Sequence, residues 1–136
     1  MFVHDLDGNE KREPKAALAA LSDARSRAEA VGAPPSAVGV AVPMVEAWLL
    51  SDPKPLRARG ASSPPKKPER NLRRRGSDKY AKGILERHLQ QAGIEATAKG
   101  YAIIAEALDL DAVARACPIG FAPFLAELHA LRDQLS

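Results

Sequence analysis

The chain has 136 residues, 46% of them apolar and only 4% aromatic, and carries a formal net charge of +3. That length allows one domain with a substantial core, the scarcity of aromatics argues against a base-stacking RNA platform, and so small a charge assigns no partner by itself. Cys117 stands alone, which excludes an intrachain disulfide and a cysteine zinc site; with no long apolar stretch and no basic signal-peptide start, the expected location is the reducing cytoplasm, with no membrane contact.

The first element is a short buried strand over Phe2 to Leu6, in "MFVHDLDGNE". "EPKAALAALSDARSRAEAVG" follows as a helix, with Ala17, Leu18, Leu21, Ala24, Ala28 and Val31 on one stripe and Gly32 as its stop. In "PPSAVGVAVP", Val38, Val40 and Val42 alternate with small residues, as in a strand buried on both faces. Strand, helix and strand make a βαβ unit, for which parallel strands and a right-handed crossover are expected. "MVEAWLLSD" reads as a short amphipathic helix.

Residues 52–77 contain five prolines and no apolar period, and read as a mobile, basic, proline-rich loop. The remainder is helical: "DKYAKGILERHLQQAG", "TAKGYAIIAEAL", "DLDAVARAC" up to Pro118, and "FAPFLAELHALRDQL", with Pro123 in its first turn and Phe124, Leu125, Leu128, Leu131 and Leu135 at helical spacing. The pattern predicts an α/β fold: a single domain over 1–136 with a small parallel sheet flanked by helices. Two strands rarely make a stable sheet, so the sheet is expected to be completed by a partner chain or by sequence upstream of Met1; a homodimer is among the partners considered.

Asp5 and Asp7 fall one residue apart at the end of the first strand, and strand geometry points both side chains to one face. Two carboxylates about 4 Å apart repel by roughly 4 kcal/mol at an effective dielectric near 20, so they need water or a cation between them. Functional sites of open α/β sheets lie at the carboxyl ends of strands. Glu46, just past the second strand, is expected at that same end, and three carboxylates there suit Mg²⁺ or Mn²⁺. The alternative is an ordinary turn, with "DLDGN" ending the strand and Glu46 favouring a helix N-terminus. Lys54, Arg57, Arg59, Lys66, Lys67, Arg70, Arg73, Arg74 and Arg75 form a basic run with Glu69 nearly its only opposing charge. Such a run either contacts phosphates or is simply solvated. Trp48 reads as packing, His4 as a core or partner-facing residue, and His88, His129 and Cys117 show no catalytic spacing.

A hydrophobic strand with "DLD", then "VGVAVP", "VEAWLLSD", "DKYAKG" and the ending "PIGFAPFLAEL", resembles a bacterial domain family with a Toprim-like fold, whose members accompany ATPases in phage-defence gene clusters. The likeness covers most of the chain and is most specific at "EAWLL" and "GFAPFLAEL". It implies a three-layer sandwich related to topoisomerases, primases and overcoming-lysogenization-defect nucleases. By that resemblance Asp5 and Asp7 are the Mg²⁺-binding pair, Glu46 an added acid, Lys79 a phosphate-holding lysine, and an ATPase a possible partner. Toprim domains usually begin with an earlier strand ending in a catalytic glutamate. No residue here corresponds to it, so the domain is expected to be N-terminally incomplete.

Two other functions compete with a metal-dependent nuclease. One is a non-catalytic module that binds nucleic acid or an ATPase. The other is a phosphatase, since "DLDGN" resembles the first motif of haloacid dehalogenase-like hydrolases. Against that motif stand Asn9 for threonine, Pro43 where Ser or Thr is usual, and a late acidic segment, "LDLDAVARAC", that reads as a capped helix.

Overall fold

Two short strands are found among the described residues. β1 (Phe2–Asp5) and β2 (Val38–Ala41) pair in parallel, with Phe2 opposite Val38 and Asp5 opposite Ala41. The computed structural model describes residues 1–6, 13–42, 45–73 and 78–136, the side chains of Arg73, Asp78 and Lys79 excepted. Helix α1 (Pro14–Ala30) links the strands. Pro14 opens it where no intrahelical N–H bond is lost, and Gly32 ends it at φ 100°, a conformation that favours glycine.

The strand β2 is buried throughout, as its alternation of valine with small residues requires. Its valines face α1, where Val40 and Val42 join Leu6 in a cluster covered by Ala17, Leu18 and Leu21. The opposite face, Gly39 and Ala41, lies under α7 (Leu110–Ala116) and α8 (Phe121–Leu135). There Trp48 stacks on Phe124 at 5.5 Å and meets Phe121 edge-on at 4.9 Å. The packing reading of Trp48 therefore holds. The result is a mixed α/β fold in which a two-stranded parallel sheet is flanked by helices on both faces.

The other helices build a second core. α2 (Val45–Leu49), α3 (Lys54–Ala58), α4 (Pro68–Arg73), α5 (Asp78–Gln91) and α6 (Ala98–Ala107) surround Leu50, Leu56, Leu72, Leu85, Leu89 and Ile104, each at most 1% exposed. Thr97 caps α6, and Asp109 caps α7 by accepting from the N–H groups of Asp111 and Ala112.

Three expectations change. The segment 52–77 is not a structureless loop, because α3 and α4 lie within it and bury Leu56 and Leu72. Two of its prolines start helices instead of breaking them: Pro55 and Pro68 stand in first turns, where a missing N–H costs nothing. The strand β1 is not buried, since Phe2 is 62% and Val3 36% exposed and His4 is open to solvent. Finally, only the first half of the α1 stripe packs; Ala24 and Ala28 are exposed and Val31 is 87% exposed. Lengths explain this. Seventeen helical residues span about 26 Å, whereas four strand residues span about 13 Å, so α1 overhangs the sheet.

Candidate functional site

Because β1 and β2 run parallel and in register, their carboxyl ends emerge side by side. Asp5 is the last residue of β1, and its Oδ1 accepts a hydrogen bond from the N–H of Val45, the first residue of α2, at 3.0 Å. Glu46 is the next residue, half-buried in the first turn of that helix. Asp5 thus contacts the backbone at the start of the helix that carries Glu46 in its first turn. Asp7, the third predicted carboxylate, lies outside the described residues. A carboxylate at the start of a helix is favourable because it satisfies an orphan N–H, so Asp5 has a structural task whatever else it does. The donors are all carboxylate oxygens, the chemistry that Mg²⁺ and Mn²⁺ prefer. Among the described residues no group of three or more His, Cys, Asp or Glu is arranged to hold a metal.

The basic run is partly placed. Lys66, Lys67 and Arg70 are exposed, and no ion pair among the described residues involves them. Lys67 adopts φ 50°, and its carbonyl accepts from the N–H groups of Arg70 and Asn71, which turns the chain into α4. The side chains of Arg73 and Lys79, and all of Arg74 and Arg75, lie outside the described residues.

Two acids that the sequence reading did not single out have defined partners. Glu69, the lone acid of the basic run, is only 3% exposed. Its Oε1 accepts from the Ile119 N–H at 2.8 Å and its Oε2 from the Gly120 N–H at 2.5 Å, at the start of α8. Burial pushes its carboxyl above the usual 4.5 more than these two N–H groups pull it down. Asp52, 2% exposed, accepts from the N–H of Lys54 and, at 2.9 Å, from that of Asp109, bracing α3 against α7. Lys54 is a local partner of Asp52, but the contacts that join helices, to Ile119 and Asp109, lie 50 and 57 residues away, and local spacing does not announce them.

Cys117 and His88 are both buried, and the Nε2 of His88 has no hydrogen-bond partner among the described residues. Burial pushes the Cys117 thiol up to about 12, with Ser51 Oγ at 2.8 Å and the Glu69 charge as smaller influences of opposite sign. At neutral pH it is a protonated, inert packing group. His88 is buried and its Nδ1 donates to the Ile84 carbonyl at 2.8 Å. Asp109 and Asp111 lie at the start of α7, so that segment is a capped helix and not the strand a haloacid dehalogenase-like motif needs. A polar groove of about 360 Å³ runs between α1 and α8, lined by Arg25, Ser26, Glu29, Ser36, Glu127 and Gln134. It borders the amino end of β2, away from Asp5 and Glu46.

Comparison with known proteins finds no matching family model, no matching curated protein and no matching solved structure. No helix among the described residues is long and apolar enough to cross a membrane.

Proposed function

We propose that the carboxyl end of the β1–β2 pair holds Mg²⁺ or Mn²⁺ and that the chain performs metal-dependent phosphodiester chemistry on nucleic acid, in line with its Toprim-like resemblance. The observation that supports this most is the hydrogen bond from Val45 to Asp5, which draws the β1 carboxylate to the start of α2, the helix with Glu46 in its first turn. Asp5 and Glu46 are two of the ligands in this reading; Asp7 is the third, and Lys79 steadies phosphate, both on the strength of the sequence. A bound cation would supply neutralisation of phosphate charge and a more acidic water. The chain's own contribution is to hold carboxylates at the strand ends and to present phosphate-binding cations nearby.

Asp5→Asn tests the ligand set with little risk to the fold, because the amide oxygen still accepts from the Val45 N–H. In calorimetric titration with MnCl₂ the variant is expected to bind at least about tenfold more weakly than the wild type. Equal affinity in the two proteins would remove Asp5 from the site.

A binding module without catalysis is the second reading, and one specific observation favours it. Glu69 faces inward and is used up by Ile119 and Gly120, so it does not offset the exposed Lys66, Lys67 and Arg70. Arg73, Arg74 and Arg75 extend this basic set in the sequence. Affinity for DNA that falls steeply with salt, without nicking of a supercoiled plasmid in Mg²⁺ or Mn²⁺, would leave this second reading in place of the first.

A further inference from the structure

Lys67 is the one non-glycine residue at positive φ among the described residues, at 50°. Two features of the backbone oppose that geometry. A left-handed conformation crowds the Cβ of any residue but glycine, and a residue that precedes proline ordinarily takes a negative φ. Pro68 follows Lys67 directly. Glycine would relieve the crowding, and asparagine would tolerate it better than lysine does. A long cationic side chain occupies the position instead.

The turn around it is held from several sides. Pro64, Pro65 and Pro68 fix their own φ, and Pro64, Pro68, Glu69 and Leu72 are buried. The Lys66 carbonyl accepts from the Asn71 side-chain amide, and the Lys67 carbonyl accepts from the N–H groups of Arg70 and Asn71. The exposed residues over 62–71 are all polar: Ser62, Ser63, Lys66, Lys67, Arg70 and Asn71. Glu69, the acid of this segment, is turned inward onto Ile119 and Gly120.

We propose that Lys66, Lys67 and Arg70 form a preformed contact for the phosphates of nucleic acid, and that the left-handed backbone at Lys67 lowers stability for the sake of that lysine's placement. Strained backbone conformations cluster at binding and catalytic positions. A contact whose backbone is set in advance loses little freedom on binding, unlike a solvated flexible run of the same charge. Cations with no exposed apolar neighbour suit a phosphodiester backbone better than a bilayer, because segments that lie in a membrane interface also bury an apolar face. This role depends on the nucleic-acid reading above and adds to it the backbone that sets the contact.

Three variants of the full chain separate backbone from charge. Lys67→Gly removes the crowded Cβ and the cation together. Its Tm is expected to rise by roughly 2–4 °C. Its affinity for a fluorescein-labelled DNA duplex in low salt should fall about threefold or more, and the slope of log affinity against log salt should shrink by about one. Lys67→Gln keeps the Cβ and loses the cation, so it should repeat the loss of binding without the rise in Tm. Lys99→Gln, which removes an exposed lysine on α6, should match the wild type in both measurements. A wild type that binds DNA while Lys67→Gly binds as well as Lys99→Gln would overturn the contact at Lys67 and leave the nucleic-acid reading standing. A wild type with no salt-dependent affinity for DNA would overturn both, and binding to phosphatidylserine vesicles in its place would assign the surface to membranes. A Tm that falls in Lys67→Gly would show that the left-handed backbone carries no penalty, and would reject that half of the proposal without reference to any ligand.

Discussion

Gly120→Ala is expected to lower stability by about 3 kcal/mol or more, above the usual range for an added methyl in a packed core. The new Cβ would stand 2.2 Å from the Val40 carbonyl oxygen and 2.9 Å from Glu69 Oε2. The backbone at Gly120 is ordinary, at φ −101°, so glycine is needed there for space and not for conformation. A flexible side chain could move away from the methyl, but the carbonyl belongs to β2 and is fixed by the sheet. The entry of α8 must therefore shift outward, which also stretches the hydrogen bonds from Ile119 and Gly120 to Glu69. For a chain of this size the loss corresponds to a drop of roughly 10 °C in Tm. Denaturant unfolding should show a lower midpoint with an unchanged slope. A midpoint equal to that of the wild type would mean that α8 does not approach β2 as closely as described.

Glu69→Ala is expected to cost a comparable amount, about 3 kcal/mol. It removes two charge-assisted hydrogen bonds worth about 1.5–3 kcal/mol each, offset by relief of the buried charge. Glu69→Gln, which keeps one acceptor, should cost about half as much. The pH dependence has an unusual sign for a carboxylate. Burial raises the folded-state pKa above the usual 4.5, so the folded protein holds this proton more tightly than the unfolded chain does. The contribution is therefore complete in acid and declines as pH rises from 4.5 through the folded value. The stability gap between wild type and Glu69→Gln should be wider near pH 4 than near pH 7, measured by urea unfolding at each. A gap that widens with pH would show that the two N–H groups outweigh burial.

These two residues also mark where the sequence stops being informative. The helices α1, α5, α6 and α8 are legible because each runs long enough to display apolar periodicity and ends at proline, glycine or a capping side chain. The strand β2 is legible because its neighbours on both faces require valine alternating with small residues. The helices α3 and α4, of five and six residues, hold fewer than two turns, so a single buried leucine anchors each and no period can form. The exposed second half of the α1 stripe was not legible, because it depends on the mismatch between helix and strand lengths. At the candidate site, the nearness of Asp5 to the start of α2 follows from the parallel βαβ rule alone. The caps made by Asp52 and Glu69 depend on contacts that close only when distant helices dock, and no local pattern encodes them.

One oxygen atom, Glu127 Oε2, has a consequence beyond its own energy. It accepts from the Arg25 guanidinium at 2.5 Å and from the Val38 N–H at 2.9 Å, and so links α1, β2 and α8 at a single point. In the vocabulary of framed buildings, that oxygen is a gusset: one small piece fixes the angle at which three members meet. Glu127→Gln, which loses the charge shared by both contacts, is expected to loosen all three elements together, seen as faster amide exchange at Val38 and along both helices.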